Sequence, residues 1–579
     1  MIFKNYINLA LFLILFAFFS CEKEDEINTL QVSKEEIEIP AEGGRTTFTI
    51  ETNAESWAVE NPASDWVNIP ILSGTNKEAL ISVTVDSKTL TPRADTLIVT
   101  AGNANPVLVI VSQSSSAYLY DLKTNKTYTE FGFGSGYTTL NITSDAPDWS
   151  LTCDADWIQL SQNNGDEGTF NITINVASNT ETTVRSATII LNGEGAPTSE
   201  ITITQKGTYP SYNTSPLTPD ATGMNSTAAG LAAKIKLGWN IGNSLEASGG
   251  ETNWGNPLIT KALIDSVKKN GFNAVRLPCS WNQYMENSST AKIKSSWLDR
   301  VKTVVQYCIN DDMYVILNIH WDGGWLENNC SVAKQEENNA KQKAFWEQIA
   351  THLRDFDEHL MFASANEPNV DNGTQMSVLT SYHQTFIDAV RSTGGKNSYR
   401  VLVIQGPSTD ITKTNQLMNT LPVDETPDRL MVEVHYYTPW NFCGMTADAD
   451  WGNMFYYWGE GYHSATDPTH NATCCEEAAV NSSFSSMKTK FVLKGIPVVL
   501  GEFSVVRRSN LTGDALTLHL ASRAYFLKYI TQQARANGIL PFYWDNGGTG
   551  VNGAAIFNRK NNTVFDRQAL DALVQGATQ

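Results

Sequence analysis

Two glutamates, each near the end of a short apolar run, could work as one catalytic pair. Glu367 stands in Ala-Asn-Glu-Pro-Asn after the run that begins at Leu360, and Glu502 stands in Val-Leu-Gly-Glu-Phe-Ser within the run that begins at Val498. A carboxylic acid that protonates a leaving oxygen and a carboxylate that attacks a sugar carbon hydrolyse glycosidic bonds, and in retaining enzymes they lie about 5–5.5 Å apart. Glu367 and Glu502 are therefore the predicted catalytic residues.

Polar or aromatic side chains also close most of the other apolar runs of this region. In chain order they are Asn240, Arg276, His320, Asn366, His435 with Tyr437, and Trp544. Because an unpartnered buried polar group costs about 2–7 kcal/mol, a purely structural sheet would not end nearly every strand in this way. The pattern indicates one active site built from several strand ends. No H-x-H pair or H-E-x-x-H motif accompanies it, so we expect no metal and no cofactor.

Eight apolar runs must position these residues. They begin near Ile235, Ala274, Tyr314, Leu360, Val401, Leu430, Val498 and Leu540. Most are continuous, as strands buried on both faces of a parallel sheet must be. Between them, apolar residues recur at helical spacing from Trp297 to Ile309, and Lys268-Lys269-Asn270-Gly271 is typical of a helix end.

Eight strand–helix units over residues 221–579 predict a (β/α)8 TIM barrel, in which chemistry occurs at the C-terminal ends of the strands. Glu367 and Glu502 would then face each other across the barrel mouth, from the fourth and seventh strands. A doubly wound open sheet is the alternative fold. It would require a glycine-rich phosphate loop after the first strand, and the sequence has none.

The motifs of this region are similar to those of glycoside hydrolase family 5. They are Gly238-Trp239-Asn240-Ile241-Gly242-Asn243, Arg276-Leu277-Pro278, Leu317-Asn318-Ile319-His320, Asn366-Glu367-Pro368, His435-Tyr436-Tyr437, Gly501-Glu502-Phe503 and Trp544-Asp545-Asn546-Gly547. They occupy every expected strand end in order. The resemblance is to the subfamily that contains many endoglucanases and xyloglucanases.

The resemblance implies a role for each site residue. Glu367 would be the acid/base and Glu502 the nucleophile. The remaining substrate-binding or supporting residues would be Asn240, Asn243, Arg276, His320, Trp321, Asn366, His435, Tyr437, Trp440 and Trp544. His320 would lie in the −1 subsite above the Trp544 platform. Many relatives have a second histidine where this chain has Trp321, which leaves the contacts to the glycone side open.

The chemistry of the side chains agrees with these roles. Asn366 can hydrogen-bond the sugar 2-hydroxyl, a contact that strengthens as the oxocarbenium ion forms. Arg276 and Tyr437 can hydrogen-bond Glu502 and keep it ionised. We expect the negative charge of Glu502 to raise the proton affinity of Glu367 until Glu502 is esterified.

Residues 28–207 predict two all-β sandwiches in tandem, at 28–115 and 116–207, because short alternating runs are interrupted by turn residues. Three features recur at offsets of 91 or 92 residues: Trp57 and Trp149, Trp66 and Trp157, Gln113 and Gln205. The repeat resembles the BACON domain of Bacteroidetes, whose name suggests carbohydrate binding. We favour buried tryptophans and a spacer role, because tryptophan is highly buried on average. The Pro-containing stretch 208–220 is expected to be a semi-rigid linker.

Residues 1–21 have the pattern of an export signal. Lys4 precedes an apolar stretch too short to span a bilayer comfortably, and Ser20-Cys21 resembles the cleavage site of a bacterial lipoprotein. The acidic segment 22–26 resembles the surface-export tag of Bacteroidetes lipoproteins. We therefore expect lipidation at Cys21 and a catalytic domain that faces outward from the outer membrane.

Composition excludes some partners. The net charge is −20, from 41 basic and 61 acidic residues, and nucleic-acid binding requires a basic face. The 15 Trp, 20 Tyr and 23 Phe favour a stacking surface for flat ligands such as sugar rings. Seven cysteines besides Cys21 cannot all pair internally. One bridge among Cys443, Cys474 and Cys475 stays open.

The sequence thus predicts a monomeric, retaining, endo-acting hydrolase of β-1,4-glucan backbones such as cellulose or mixed-linkage glucan. Xyloglucan or β-mannan as the substrate is the alternative within the same chemistry. A non-catalytic glycan-binding surface protein is the alternative of another class. The simplest sign of such a protein would be the loss of Glu367 or Glu502, and both residues are present.

Overall fold

A computed structural model describes residues 27–85 and 90–578. The predicted signal segment 1–21, with Cys21, lies outside the described residues. The chain forms two compact units. The first runs to Thr129 and includes Tyr137–Asn175 and Ala187–Thr202, and the second comprises Glu130–Gly136, Val176–Ser186 and the chain from Ile203 onward.

The first sandwich module consists of two sheets. Its four-stranded sheet contains, in spatial order, Leu30–Val32, Gly44–Thr52, Glu78–Val85 and Val67–Asn68. Its five-stranded sheet contains Glu36–Ile39, Val107–Gln113, Arg93–Ala101, Trp57–Glu60 and Ser73–Gly74. Alternate residues of the strands face a shared core that includes Phe48, Ile81 and Val109.

The second module repeats this arrangement. Its four-stranded sheet contains Leu122–Thr124, Gly136–Ser144, Gly168–Val176 and Ile158–Leu160. Its five-stranded sheet contains Tyr128–Phe131, Ser199–Gln205, Arg185–Asn192, Trp149–Thr152 and Asn164–Gly165. The predicted pair of all-β modules is confirmed.

Buried tryptophans explain part of the sequence repeat. Trp149 donates its indole N–H to the carbonyl of Asp166 at 3.0 Å, and a Cβ on Gly165 would lie 2.4 Å from its ring. Trp57 makes the equivalent contacts, since a Cβ on Gly74 would lie 2.6 Å from its ring. Both tryptophans are core residues, so neither offers a face to a sugar.

The stretch expected to be a linker is attached to the barrel for most of its length. The buried carboxylate of Glu347 accepts hydrogen bonds from Ser211 Oγ at 3.1 Å, Tyr212 N at 2.6 Å and Asn213 N at 3.1 Å. Further on, the backbone N–H of Leu217 donates to the carbonyl of Thr393 at 3.1 Å. Residues 211–217 of the stretch expected to be a linker are therefore held against the barrel.

Eight parallel strands close into a barrel. They are β1 Gly238–Ile241, β2 Ala274–Leu277, β3 Tyr314–Asn318, β4 Leu360–Ala363, β5 Leu402–Asp410, β6 Leu430–His435, β7 Val498–Phe503 and β8 Ile539–Asp545. Five begin at the predicted residue, two others are displaced by one residue, and β1 begins three residues late. The TIM barrel is confirmed.

Helices connect and surround the strands. The α-helices are Ala228–Lys234, Lys261–Lys269, Ser295–Asn310, Val332–His352, Gly373–Ser392, Ile411–Leu417, Trp440–Cys443, Glu477–Lys490, Gly513–Ala536 and Arg567–Thr578. Single 3-10 turns lie at Asn282–Tyr284, Asp322–Gly324, Gly395–Ser398, Pro468–His470 and Val492–Lys494, and two short hairpins pair Met285–Asn287 with Lys292–Ile293 and Phe557–Asn558 with Thr563–Val564. The two helical features predicted from the sequence, at 297–309 and before Gly271, lie in helices.

The main core fills the layer between strands and helices, and a smaller core fills the barrel interior. Leu231 of the first helix packs against this interior, which includes Ile316 and Phe542. Gly238 makes room there, because a Cβ at this position would lie 2.0 Å from the Phe542 ring. Cys443, Cys474 and Cys475 are all free thiols in this structure.

Within the described ranges 27–85 and 90–578, the helices are too short or too polar to cross a membrane.

Candidate active site

The carboxyl ends of the strands bring the predicted residues to one level of the barrel mouth. Asn240 of β1 is in register with Arg276 of β2 on one side and with Trp544 of β8 on the other. His435 at the end of β6 is in register with Glu502 of β7. Parallel pairing thus gathers side chains that are up to several hundred residues apart in the sequence.

Arg276 lies at the centre of this cluster and is completely buried. Its Nη1 donates to Glu502 Oε1 at 2.8 Å and to Asn240 Oδ1 at 3.0 Å, and its Nη2 donates to Asn366 Oδ1 at 2.9 Å. Its Nε lies 2.8 Å from Glu433 Oε1. One guanidinium therefore fixes the side chains of four strands or strand ends, since its planar fork has five donors.

Glu502 is held as a buried carboxylate. The hydroxyl of Tyr437 donates to Glu502 Oε2 at 3.0 Å, and Arg276 binds the other oxygen. Burial raises the pKa of Glu502 above its ordinary value, while the charges of His435 and Arg276 and the Tyr437 hydrogen bond act in the opposite direction. Both predicted partners of Glu502 are in place.

Glu367 faces Glu502 across a short gap. An oxygen of Glu367, an oxygen of Glu502 and a ring nitrogen of His435 all lie within 4.8 Å of one another. The Glu367 side chain is 42% exposed, whereas that of Glu502 is 7% exposed. This separation is that of the carboxyl pair in a retaining glycosidase, because an inverting pair leaves room for a water at about 6.5–9.5 Å.

Glu367, Glu502 and His435 are residue types that can bind a metal ion, but the charged residues around them favour protonation over metal binding. Glu502 is already ion-paired with Arg276 at 2.8 Å, and that fixed positive charge would repel a second cation at the same carboxylate.

His435 lies between two carboxylates. Its Nδ1 is 2.7 Å from Glu367 Oε1, and its Nε2 is 3.1 Å from Glu433 Oε1. Burial by itself lowers the pKa of His435, but Glu502 and the hydrogen bonds to Glu367 and Glu433 reverse this and raise the pKa to about 10. At neutral pH the imidazole therefore carries or shares an extra proton.

The pKa of Glu367 is lowered, whereas the sequence predicted that Glu502 would raise it, and the contact with His435 is the reason. Burial raises the pKa of Glu367, but the hydrogen bond from His435 and the charges of His435 and Arg276 outweigh it and lower the pKa. Repulsion from Glu502 alone would have raised the pKa of Glu367. The structure adds a histidine close enough to hold the same proton.

Glu433 and Gln405 are site residues that the sequence argument missed. Glu433 is completely buried beneath His435, and its Oε2 accepts from Gln405 Nε2 at 2.6 Å. A Cβ on Gly501 would lie 2.0 Å from Glu433 Oε1, so only glycine leaves room for this carboxylate. The sequence contains one feature that could have identified Glu433. It is a charged residue two positions before His435, and residues two apart lie on the same face of a strand.

Glu327, in the loop after β3, is a third acidic residue near the pair. Burial, together with the charges of Glu367 and Glu502, raises the pKa of Glu327 to about 8. It is therefore mostly protonated at pH 7, which limits the negative charge that it adds to the site.

The walls of the mouth are aromatic. The rings of His320 and Trp544 are stacked with centroids 5.7 Å apart, and a Cβ on Gly242 would lie 2.7 Å from the Trp544 ring. Burial first, and then the charges of Arg276 and His435, lower the pKa of His320 well below its ordinary value, so this ring is neutral. A neutral imidazole and an indole face suit an uncharged sugar.

The remaining predicted residues lie around this centre. Trp440 is exposed and meets Tyr437 edge to face at 6.4 Å, and Trp321 is exposed directly after His320. Asn240 is buried and donates to the carbonyl of Gly501 at 2.7 Å. Asn243 has a left-handed backbone, with φ of 59°, and its carbonyl accepts from Asn256 at 2.8 Å. These backbone contacts make Asn243 a loop-forming residue beside the site.

Five other tryptophans in loops of the barrel region divide into two groups. Trp254 and Trp451 are exposed, and Trp325 is partly buried. Trp281 and Trp458 are completely buried core residues, so they pack the loops and cannot stack on sugar rings.

A buried arginine fixes the loop that carries Trp440. Arg508 donates from Nη2 to the carbonyl of Asn441 at 2.9 Å and from Nη1 to that of Met445 at 2.8 Å. The backbone N–H of Arg508 donates to His519 Nε2 at 3.1 Å. The carbonyls of Asn441 and Met445 lie in the segment between β6 and β7, and Arg508 supplies the donors that these backbone groups need.

A TIM barrel whose strand ends hold two carboxyl groups this close, beside neutral aromatic walls, is the arrangement of a retaining glycoside hydrolase. Comparison with known proteins identifies the family. The model of the cellulase family, glycosyl hydrolase family 5, matches residues 240–550, and BACON and viral BACON domain models match residues 148–206 and 29–115. The chain belongs to glycoside hydrolase family 5.

Individual relatives extend the match beyond the barrel. A xyloglucan-specific endo-β-1,4-glucanase of Bacteroides ovatus is 34% identical over 478 residues, which cover 79% of this chain and 91% of that protein. A solved B. ovatus xyloglucanase with a bound XXXG heptasaccharide has 32% identity and a TM-score of 0.59, and the match covers 79% of this chain and all of that one. A xyloglucan-specific β-1,4-glucanase from a ruminal metagenomic library, solved with XXLG, has 40% identity and a TM-score of 0.57, covering 61% and 96% of the two chains. The resemblance identified from the motifs is confirmed, and the chain is a glycoside hydrolase.

Tyr437→Phe should move the acidic limb of the pH–activity profile to higher pH. The hydroxyl of Tyr437 stabilises ionised Glu502, so its loss raises the pKa of Glu502, and the carboxylate is protonated at a pH where the wild type is still active. A hydrogen bond to a charged group is worth about 1.5–3 kcal/mol, which corresponds to a shift of about one to two pH units. The measurement is kcat/KM against pH on a soluble substrate.

The control for this experiment is Tyr456→Phe. Tyr456 lies between β6 and β7, and its ring stacks on His470 at 3.9 Å. It should leave the acidic limb unchanged. An unshifted limb in Tyr437→Phe would contradict the assignment of this hydrogen bond to the ionised carboxylate.

Proposed function

We propose that the protein is a retaining endo-β-1,4-glucanase in which Glu502 is the nucleophile and Glu367 the acid/base. The observation that carries this proposal is the asymmetry of the two carboxyl groups. Glu502 is buried and paired with Arg276, whereas Glu367 is half exposed and paired with His435. Two carboxyls in different environments perform different chemistry.

Glu502 suits nucleophilic attack. Its two oxygens are fixed by Arg276 at 2.8 Å and Tyr437 at 3.0 Å, so the carboxylate is oriented before substrate arrives. Orientation of this kind removes entropy loss from the bond-forming step. The same donors stabilise the carboxylate again when it leaves in the second step.

Glu367 suits proton transfer. It lies at the open side of the mouth, where a leaving oxygen and then a water can reach it, and it shares a short contact with His435. In the first step the proton passes from Glu367 to the leaving oxygen while the bond from C1 to Glu502 forms. In the second step Glu367 takes a proton from water, which attacks C1 and releases Glu502.

The other residues support this sequence of steps. The oxygen of Asn366 accepts from Arg276, and this contact fixes the amide for a hydrogen bond to the sugar 2-hydroxyl. Trp544 offers a flat apolar face to the sugar at the reacting position, with neutral His320 beside it. Exposed Trp321 and Trp440 supply further stacking surfaces.

The relatives support a β-1,4-glucan backbone as the substrate, since endo-β-1,4-glucanase stands in the name of the B. ovatus protein that matches across 91% of its length. Xyloglucan is the second candidate within this class. The same protein and the ruminal enzyme are described as xyloglucan-specific, and the solved B. ovatus enzyme is described as a xyloglucanase. The match to the B. ovatus chains covers 79% of this chain and so extends beyond the barrel.

We also propose that the mature chain is a lipoprotein at the outer face of the outer membrane, anchored through Cys21. The sequence of residues 1–26 supports this, and the two modules, in which Trp57 and Trp149 are buried while Trp66 and Trp157 are only partly buried, would serve as a stalk. One acyl chain binds membranes only marginally, so durable anchoring needs the several chains that a bacterial lipoprotein carries.

The substrate is tested with a panel of xyloglucan, mixed-linkage glucan, carboxymethyl cellulose and β-mannan, with sizing of the products. We expect β-1,4-glucans to be cut internally, so that viscosity falls before many reducing ends appear. A kcat/KM at least tenfold higher on xyloglucan supports the second candidate. Cleavage of mannan alone would overturn the glucanase proposal. Glu502→Ala serves as the inactive control.

The roles of the two glutamates are separated by rescue with azide. Glu367→Ala should lose about 10²–10⁴-fold on unactivated glucan but still glycosylate Glu502 from an activated aryl glycoside, and azide should then give a β-glycosyl azide. Glu502→Ala lacks the covalent step, so azide should give the α-anomer. Proton NMR of wild-type hydrolysis should show the β-anomer first, and an α-anomer first would mean inversion.

The anchor is tested by Cys21→Ala, which should appear in the soluble fraction or remain unprocessed, because no acyl chain can be attached. Cys474→Ala removes an exposed thiol of the barrel unit and should stay with the membrane fraction. Membrane fractionation of Cys21→Ala identical to that of the wild type would reject the lipoprotein proposal.

A further inference from the structure

Glu433 is a buried carboxylate that touches the site from below and has no part in the two-step reaction described above. Its Oε1 lies 2.8 Å from Arg276 Nε and 3.1 Å from His435 Nε2, and its Oε2 accepts from Gln405 Nε2 at 2.6 Å. The space for it depends on Gly501. Burying a carboxylate costs free energy unless its oxygens are fully partnered. The presence of Glu433 in the barrel interior therefore indicates a role in the site.

The charge of Glu433 determines which nitrogen of His435 carries hydrogen. Burial raises the pKa of Glu433, but Arg276 and His435 outweigh burial and lower it, so Glu433 is an anion. An anionic carboxylate has only acceptors, and the His435 Nε2 beside it must therefore be protonated. Nδ1 is left to face Glu367 at 2.7 Å.

One proton then occupies the contact between Nδ1 and Glu367. Either Nδ1 donates to the Glu367 carboxylate, or the Glu367 carboxylic acid donates to Nδ1. The two forms differ only by the transfer of that proton along a short hydrogen bond. Glu367 can thus be supplied with its catalytic proton without an exchange with solvent.

Several other groups face His435 and influence this proton. Glu502 of β7 lies 3.7 Å from Nδ1 and favours the cation. Arg276 of β2 is positive, and His320 after β3 is neutral because burial and the nearby cations lower its pKa. Tyr437 stays a phenol, since burial and both carboxylates raise its pKa well above the ordinary value. Glu433 and Glu367 are thus the direct hydrogen-bond partners that hold the imidazole at either end.

We propose that Glu433 is a positioning residue that fixes the Nε2-protonated form of His435, so that Nδ1 and Glu367 hold one proton between them until the leaving oxygen takes it. This inference rests on the acid/base role proposed for Glu367. In the first step the shared proton moves to the leaving oxygen, which leaves neutral His435 and the Glu367 carboxylate. In the second step the proton removed from water restores the pair.

The test is the pH dependence of Glu433→Gln. A glutamine keeps the shape and removes the charge, so His435 loses the interaction that stabilises its cation and releases the shared proton at lower pH. The alkaline limb of kcat/KM on soluble glucan should therefore fall by about one pH unit or more. The acidic limb should not rise, since the change removes a negative charge near Glu502.

A second substrate separates proton supply from mere structural support. An aryl β-cellobioside with a dinitrophenyl leaving group needs no protonation, so its kcat/KM should fall less than about threefold in Glu433→Gln at a pH where glucan hydrolysis falls at least tenfold. Equal losses on both substrates with an unmoved alkaline limb would overturn the inference and assign Glu433 to the support of Arg276 alone.

Glu347→Gln is the matched control. It neutralises another buried glutamate of the barrel unit, whose partners are Ser211, Tyr212, Asn213 and Lys343, and it should leave both pH limbs in place. Wild-type inactivity on every β-1,4-glucan would contradict the proposed function, whereas an active wild type with an unmoved limb in Glu433→Gln contradicts only this inference.

The wild-type protein gives an independent measurement if Glu433→Gln does not fold. Nitrogen-15 NMR of histidine-labelled protein, with the His435 signals assigned by His435→Gln, reports which ring nitrogen is protonated. We expect Nε2 to be protonated across pH 5–9. A spectrum with Nε2 unprotonated at neutral pH would reject the proposal.

Discussion

The buried positive charge of Arg276 is the constraint on which the site depends. A guanidinium removed from water is stable only if its donors are filled and its charge is balanced, and breaking a buried pair of this kind costs about 3–5 kcal/mol. Glu502 and Glu433 balance the charge of Arg276, and Asn240 and Asn366 accept further hydrogen bonds from it. The residues that neutralise it are thereby held in the geometry that the reaction needs.

The charge balance explains why the two catalytic glutamates differ. Glu502 belongs to the Arg276 ion pair and stays close to it, whereas Glu367 contacts His435 and remains open to solvent. His435 in turn is held from below by Glu433. A chain of charged hydrogen bonds therefore crosses the barrel from β2 to the end of β4, and each member limits the protonation of the next.

Much of the fold and the site could be predicted because each signal was local in the sequence. Continuous apolar runs identified the strands, and the residues that close them, such as His320 and Trp544, lie at the mouth. The helix end before Gly271 was equally local, since Gly271 has a φ of 101°. The linker was less predictable, because its proline content indicates stiffness but not the carboxylate of Glu347 to which it attaches.

The sequence alone determined the barrel, the two modules, the glutamate pair and the identity of most side chains around it. The tertiary structure decided the protonation of the pair and the residues beneath it. Glu433, Gln405 and Gly501 come from three different strands, and their meeting depends on closure and register of the barrel. A pKa depends on distances to charges and on burial, so the proton of Glu367 could be located only once His435 and Glu433 had been brought beside it.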